Sequence, residues 1–357
     1  MSQRKLTKRQ QVRIKKFQEQ KNSRKIQNEK TSDENIQCIN EVIYSGRVLQ
    51  NFGKRLLIQV KNQNSEELVN CSFRQNLGQI VAGDVVFWQK IISKVTNKQN
   101  NFQGIVVSVS ERKSLLSRPV FQGKHKAIAA NVNQAFIIAA PDVISKNIID
   151  KMVNMRLIDR YLVICENSSI NPIIIINKID LLDDKLLDEL DKSLSIYSKL
   201  NYEIIFTSVL NGTGVLSLKN KMADNNSIFV GQSGMGKTSL INSIIPNVNA
   251  KIAGVSEASG KGKHTTTSAR LYDLNEAGIH DGFIIDSPGI RELGLWKIDK
   301  NQVQIGFKEI METSYQCQFR DCTHTHEPGC AVLAAIENKE ISKSRLISFH
   351  HILDTLN

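Results

Sequence analysis

Gly231-Gln-Ser-Gly-Met-Gly236-Lys237-Thr238 sets glycines, a lysine and a hydroxyl at the spacing G-x-x-x-x-G-K-[ST]. Glycines let the backbone turn tightly enough that successive N–H groups aim at one anion; the lysine adds a point charge, and the hydroxyl can ligate a divalent cation. Average residue frequencies give that pattern by chance in about one chain in a hundred of this size. Here it follows the apolar run "SIFV" and opens a helical stretch, as the chemistry requires. The N–H groups of residues 232–237 are expected to cradle the α- and β-phosphates of a nucleoside triphosphate. Lys237 is expected to reach the β/γ-phosphates, and Thr238 to hold Mg²⁺.

The base is decided upstream, at Asn177-Lys178-Ile179-Asp180. A carboxylate at Asp180 can accept both N1–H and the exocyclic N2 amine of guanine, a pair adenine does not offer; Asn177 can donate to the N7/O6 edge, and the stem of Lys178 can cover the ring. N-K-x-D alone occurs in about one chain in twenty, so its weight comes from its place at the end of the strand "PIIIIN". Thr207-Ser208-Val209, after the next apolar run, can bring backbone donors near the guanine O6. Downstream, Asp286-Ser-Pro-Gly289 is a D-x-x-G, a pattern expected about once per chain by chance and meaningful only through its position. Asp286 would hold Mg²⁺ through water, and the Gly289 N–H would sense the γ-phosphate. Between the two lies "GKGKHTTTSAR", where one of Thr265, Thr266 and Thr267 completes the Mg²⁺ shell; the sequence does not choose among them. The residue after Gly289 is Ile290, which cannot orient a water, so intrinsic hydrolysis is expected to be slow. His264 is the nearest polar candidate for a water-orienting or general-base residue; the alternative is a surface switch histidine or an RNA contact.

In chain order the motifs run N-K-x-D, T-S-x, phosphate loop, Thr switch, D-x-x-G. An ordinary small GTPase starts at the phosphate loop and ends at the T-S-x-like loop, so the same cycle is cut at another point. Whatever follows residue 297 is then tethered to the switch end. There Cys317-x4-Cys322-x-His324-x5-Cys330 gathers three cysteines and a histidine. Those ligands can close a tetrahedral Zn²⁺ site with no place for water, which makes it structural. His326 competes with His324.

These residues need elements to hold them. From about residue 112, apolar strands alternate with amphipathic helices: strands at 134–140, 172–180, 202–208, "SIFVG" and "GFIID", with helices at 148–166, 184–200 and from Lys237. That alternation predicts a mostly parallel α/β sheet covered on both faces. Residues 42–110 instead read as about five short strands, among them "VIYSGRVLQ", "RLLIQV", "DVVFWQ" and "GIVVSVS", which suits a small β-barrel of the oligonucleotide-binding (OB) type. Phe87, Trp88 and Phe102 are candidates to stack bases, but aromatics at strand spacing more often belong to the core. Beyond residue 298 the chain is polar and mainly helical.

The net charge is +12 over 357 residues, and residues 1–30 alone supply +9 of it, with 11 Lys/Arg against Glu19 and Glu29. The charge is a tail with too few apolar residues for a core. It reads either as a solvated tail or as a basic arm for nucleic-acid phosphates. No apolar run approaches the ~20 residues that span a bilayer, and no secretory signal is evident, so a cytoplasmic protein without membrane contact is expected. The expected division is a basic tail at 1–38, an OB-fold RNA-binding domain at 39–111, a circularly permuted G domain at 112–297 and a zinc-binding domain at 298–357.

The permuted order together with "GQSGMGKTSL", "NKIDLL", "GKGKHTTT", "DSPGIREL" and C-x4-C-x-H-x5-C followed by "AV" resembles the RsgA (YjeQ) family of circularly permuted GTPases, over about residues 40–350. The resemblance implies GTP contacts at Asn177, Lys178, Ile179 and Asp180, and at Gly231, Gln232, Ser233, Gly234, Met235, Gly236, Lys237, Thr238 and Ser239. It also implies zinc on Cys317, Cys322, His324 and Cys330, with small-ribosomal-subunit RNA as partner and activator. The expected activity is hydrolysis of GTP to GDP and phosphate by a monomer that assists late maturation of the small subunit, with stimulated turnover coupled to release. The alternatives are a GTP-gated RNA-binding checkpoint with negligible turnover, or a GTPase serving another structured RNA.

Overall fold

The computed structural model describes residues 37–38, 42–62, 65–92, 102–119, 125–142, 153–245, 269–286 and 298–356. The basic tail through residue 36 lies outside them.

The N-terminal strands are β1 (Gln37–Cys38), β2 (Tyr44–Asn51), β3 (Leu56–Asn62), β4 (Ser65–Phe73), β5 (Val85–Ile92) and β6 (Gly104–Val109). Pairs β2–β3, β3–β4, β5–β6 and β2–β5 are antiparallel and β4–β6 is parallel. Strands β2 to β6 therefore close into a five-stranded barrel of OB type. Its interior is aliphatic around one indole: Val48, Leu56, Ile58, Val69, Val86 and Val106 pack with Trp88. Side chains alternate along β5, so Trp88 is 1% exposed while its neighbour Phe87 is 38% exposed on the outer face. Of the two places open to it, Trp88 takes the one that aromatics at strand spacing more often take: it is a core residue and not a stacking platform. A Cβ on Gly104 would fall 2.4 Å from the indole, so β6 can cross Trp88 only at a glycine. Strand β4 was not foreseen; its first residues, Ser65-Glu66-Glu67, resemble a turn in composition yet pair with Asn62, Lys61 and Val60.

A hairpin of β7 (Leu115–Pro119) and β8 (His125–Ala130) leads into the second sheet. There the chain runs β9 (Gln134–Ala139), α1 (Met155–Asn167), β10 (Asn171–Asn177), α2 (Asp184–Ser198), β11 (Glu203–Thr207), α3 (Val215–Met222), β12 (Asn226–Val230), α4 (Lys237–Ile244), β13 (Arg270–Asp273) and β14 (Phe283–Asp286). Strand order is β13-β14-β12-β9-β10-β11, parallel except for β13. All six residues of β9 are buried, as a strand covered on both faces demands. Caps set the helix starts: Asn154 accepts from the Leu157 N–H and Asp183 from the Leu186 N–H. The helix expected from residue 148 begins at Met155, with residues 143–152 outside the described part.

Strand β13 meets β2 at Arg270 and Gln50, so the two sheets are continuous. Arg47 reinforces this join by donating to Asn226 (2.7 Å) and stacking 4.1 Å over Phe283; Gln59 donates to Asp273 (2.6 Å).

The C-terminal lobe consists of α5 (Lys300–Gly306), α6 (Lys308–Ser314), α7 (Ala331–Glu337) and α8 (Lys343–Asp354). It docks on α1. A Cβ on Gly306 would lie 2.4 Å from the Val163 Cα, so α5 and α1 touch backbone to backbone. Arg345, 1% exposed, pairs with Asp159 of α1 at 2.5 Å and with Glu309 of α6 at 2.7 Å, and lies 4.2 Å over Phe307. Burial works against the Arg345 charge, but Asp159 and Glu309 more than offset it and hold the guanidinium above its ordinary pKa. No described helix is long and apolar enough to cross a membrane.

Candidate nucleotide and metal sites

Four motifs meet because four strands point the same way. Strands β10, β11, β12 and β14 run parallel within one sheet and end at Asn177, Thr207, Val230 and Asp286, so the segments after them share its C-terminal edge. Ligands of open α/β sheets bind there. Along this edge lies a cavity of about 620 Å³ walled by Gln232, Gly234, Lys237, Thr238, Ser239 and Asp286, with Lys178 on one side and Leu157 and Tyr161 of α1 on another.

The phosphate loop depends on its glycines. Gly231 sits at φ +145° and Gly236 at φ +86°; a Cβ would meet the Ile138 carbonyl at 2.3 Å in the first case and the Asn177 amide at 2.3 Å in the second. Gly236 caps α4, whose first residues Lys237 and Thr238 face the cavity. The Lys237 ammonium donates to the Gly231 (2.6 Å) and Gln232 (2.5 Å) carbonyls, which aims it back over the loop. Ser233 and Gly234 are exposed at the loop's crest, while Met235 packs against the apolar cluster that includes Phe136, Ile138 and Leu240.

The base end is tied to the phosphate end by hydrogen bonds. Asn177, 1% exposed, donates from Nδ2 to the Met235 carbonyl (2.9 Å) and accepts at Oδ1 from the Thr207 hydroxyl (3.0 Å). That fixes the amide's orientation and leaves its second N–H for a base. Lys178 adopts a left-handed conformation (φ 64°) that sends its ammonium to the Gly234 carbonyl at 2.7 Å, stretching its stem from one motif to the other. Asp180, in the short 3-10 turn Ile179–Leu181, accepts a hydrogen bond from the Ser208 hydroxyl. The Ser208 N–H is engaged with the Thr213 carbonyl (3.0 Å), so that N–H is not the donor offered to O6; Ser208 acts through its hydroxyl on Asp180.

His264, Thr265, Thr266, Thr267, Gly289 and Ile290 lie outside the described residues, so the candidate catalytic histidine, the third Mg²⁺ ligand and the γ-phosphate sensor have no described position. The geometry brings together 177–180, 207–208, 231–239 and Asp286. Tyr161 and Leu157 were not legible in the sequence, because they reach the cavity from a helix about seventy residues before the loop and belong to no motif. The motif pattern marks Thr207 only as the neighbour of Ser208; its bond to Asn177 follows from the pairing of β10 with β11, which sets the two residues side by side.

Between α6 and α7, the donor atoms of Cys317, Cys322, His324 and Cys330 all lie within 4.8 Å of one another. His324 Nδ1 is 3.5 Å from the Cys330 sulfur and 3.7 Å from that of Cys317, and the two sulfurs are 4.0 Å apart. A tetrahedral ion with Zn–S near 2.3 Å and Zn–N near 2.0 Å requires donor separations of about 3.5–3.8 Å, so the set fits such an ion. His326 is exposed and bonds Thr325 instead, which leaves His324 as the histidine of the group. Burial, with the neighbouring thiols, raises Cys322 to about 12, and burial lowers His324; a dication inverts that balance by displacing the thiol protons. One carboxylate organises the ligand loop: Glu327 accepts from the N–H groups of Thr323 (2.7 Å), Thr325 (2.9 Å) and His326 (3.1 Å) and from the Thr323 hydroxyl. These bonds hold it well below the usual carboxylate range.

A family model for the RsgA GTPase matches residues 109–296. The small ribosomal subunit biogenesis GTPase RsgA of Haemophilus influenzae strain 86-028NP is 40% identical over 299 residues, 84% of this chain and 81% of its own length. The protein of the same name from Actinobacillus pleuropneumoniae serotype 5b is 40% identical over 290 residues, 81% of this chain and 79% of its own length. The chain belongs to the RsgA GTPase family. It is accordingly a GTP hydrolase. Among solved structures, YjeQ from Thermotoga maritima superposes with a TM-score of 0.67 at 29% identity, covering 88% of this chain and 99% of that one. YloQ, described as a circularly permuted GTPase, gives 0.65 at 22% identity, covering 91% and 98%, which bears on the fold alone. The permuted motif order of this RsgA-family chain is carried by its strands in chain order: β10, which ends at the N-K-x-D motif, precedes β12, which ends at the phosphate loop, although the two are separated in the sheet by β9.

Proposed function

We propose that this RsgA-family GTPase binds GTP along the 177–239 edge, acts on the small ribosomal subunit late in its maturation, and leaves when hydrolysis is complete. The supporting observation is the bonding of the base motif to the phosphate loop, Asn177 to Met235 and Lys178 to Gly234, which makes one continuous guanine-nucleotide cradle of two segments. In it Asp180 would take the N1–H and N2 amine of guanine, held in orientation by Ser208. The N–H groups of 232–237 and Lys237 would hold the phosphates, and Ser239 lines the same wall. Thr238, Asp286 and one of Thr265–Thr267 would hold Mg²⁺, which supplies charge neutralisation at the β- and γ-oxygens when bound. His264 would orient the attacking water, and the Gly289 N–H would sense the γ-phosphate.

We assign a single structural Zn²⁺ to Cys317, Cys322, His324 and Cys330, a closed set of four protein ligands. The barrel at 39–111, the basic tail at 1–38 and the lobe at 298–357 would engage ribosomal RNA, with the protein monomeric and cytoplasmic. The relatives named above are small-subunit biogenesis GTPases, which favours that RNA over others. Ile290, where a water-orienting side chain would stand, supports a second reading: a GTP-gated RNA-binding checkpoint with negligible turnover. Phosphate release from GTP, measured with and without purified small subunits, separates the two. The GTPase reading expects a strong rise on adding subunits that His264→Ala removes; a rate that stays flat favours the checkpoint. Faster turnover with tRNA than with subunits would redirect the assignment to another RNA.

A further inference from the structure

Strand β13 is short and is held on both sides. On one side it pairs along its whole length with β14, from Arg270 opposite Asp286 to Asp273 opposite Phe283. On the other, Arg270 pairs with Gln50 of the barrel strand β2. One end of this bar therefore lies against Asp286, which borders the nucleotide cavity, and the other lies about 10 Å away at Asp273.

At that far end the barrel reaches across. Arg47 of β2 and Gln59 of β3 are directly opposed, so their side chains share one face of the barrel. Arg47 takes the starts of β12 and β14, through Asn226 (2.7 Å) and the Phe283 ring (4.1 Å). Gln59, 5% exposed, takes β13: its Nε2 donates to Asp273 Oδ2 at 2.6 Å. The same nitrogen donates to Glu66 Oε2, on β4 of the barrel, at 2.9 Å. An amide nitrogen carries two N–H groups, so both are used, one on a carboxylate of each domain. Two acceptors on one nitrogen stand about 5 Å apart, and like charges at that separation repel unless a donor stands between them. Gln59 is that donor. A shift of β3 or β4 is thus passed to the Asp273 end of β13, and the ladder with β14 carries it to Asp286.

We propose that Gln59 is a positioning residue for GTP hydrolysis: by joining Glu66 of the barrel to Asp273 of β13, it transmits the seating of the barrel on the small subunit to the nucleotide edge at Asp286. It touches neither the nucleotide nor the reacting atoms. Its loss should therefore spare basal turnover and nucleotide affinity and remove the stimulation. This rests on the reading that the barrel engages the subunit and that the subunit raises turnover.

The test uses the full-length protein as parent, Gln59→Leu, Asp273→Ala, the double variant and Gln59→Lys. Phosphate release from saturating GTP is followed over a range of purified small subunits, with affinity for a fluorescent GDP analogue alongside. For Gln59→Leu, basal rate, GDP affinity and the subunit concentration at half-stimulation are expected within about twofold of the parent. Its stimulated kcat is expected to fall about tenfold, the order of one hydrogen bond to a charged group. Asp273→Ala should fall similarly, and the double variant no further than either single, because both remove the same link. Gln59→Lys, which restores a donor for both carboxylates, should keep about half of the stimulation or more. A stimulated kcat for Gln59→Leu equal to the parent's, a loss seen only as weaker subunit binding, losses that multiply in the double variant, or a Gln59→Lys as impaired as Gln59→Leu would each overturn the proposal. If subunits do not stimulate the parent, the functional reading itself fails; if they stimulate the parent and Gln59→Leu alike, only the Gln59 inference fails.

Discussion

In the proposed site Asp180 is the residue on which base choice would turn, and its surroundings explain how one carboxylate is kept aimed. It follows a left-handed lysine, lies in a single 3-10 turn and accepts the Ser208 hydroxyl, so it enters the site already oriented. Asp180→Asn exchanges one acceptor for a donor: it loses the N2 amine of guanine but can pair with the O2 carbonyl of xanthine while still accepting N1–H. The expected outcome is a GDP affinity lower by about 100-fold, the order that two charge-assisted hydrogen bonds support, with xanthosine diphosphate becoming the preferred ligand in competition titrations. Unchanged guanine affinity would remove Asp180 from the base site. Gly236→Ala is expected to abolish nucleotide binding in the same assay, because its Cβ would meet the Asn177 amide at 2.3 Å and uncouple base from phosphate recognition. Residues of this kind are legible in a sequence because the chemistry dictates both type and spacing. Trp88 was not: strand alternation separates it from Phe87 but does not say which of the two faces in, and only barrel closure puts the indole inside.

At the scale of elements, the ligand loop between α6 and α7 is the part whose order depends least on a core of its own. Cys330 is both a member of the group that could hold a metal and the N-cap of α7, its sulfur accepting from the Leu333 N–H, so the proposed ion and the helix start would share one atom. Metal analysis is expected to give one Zn²⁺ per chain. Cys322→Ser or a strong chelator should remove it and raise amide exchange in 315–337 first, leaving the phosphate loop and α4 protected; equal exchange across the whole chain would contradict a metal-dependent lobe. Glu327→Gln, which weakens the bonds orienting the loop without touching a ligand, is expected to lower metal affinity about tenfold in competition with a chromogenic chelator. The ligand set was legible from its spacing, but the choice of His324 over His326 needed the fold, since both histidines lie within reach along the chain. Short elements were hidden for related reasons. Strand β13 has four residues, too few for a period to show, and β4 opens with Ser65-Glu66-Glu67, whose composition is that of a turn and whose strand state comes from pairing with β3.

For the molecule as a whole, the permuted order places the lobe after the switch end of the G domain, and the fold then returns that lobe to α1, the helix that walls the nucleotide cavity. The attachment centres on a buried charge cluster invisible in the sequence, because Asp159 lies more than a hundred residues from both Glu309 and Arg345, which are themselves 36 residues apart. Arg345 is 1% exposed and answers two carboxylates, while Tyr197 donates to Asp159 at 2.8 Å. Burial pushes the Asp159 carboxyl above its usual value against the pull of Arg345, so Asp159 is the member whose charge depends most on its partner. Two charges taken out of water are not in themselves a large source of stability, but removing one leaves the others without compensation. Arg345→Met is therefore expected to cost about 3–5 kcal/mol in urea unfolding. The triple variant Arg345→Met, Asp159→Leu, Glu309→Met, which replaces every member by an apolar side chain, should recover most of that loss. If the cluster instead stabilises the lobe through the strength of its ion pairs, the triple variant will be no better than Arg345→Met, and unfolding midpoints of the three proteins decide between the two accounts. Because the same helix carries Tyr161, the parent and the triple variant should bind GDP alike, while Arg345→Met, with α1 released from the lobe, should bind it more weakly.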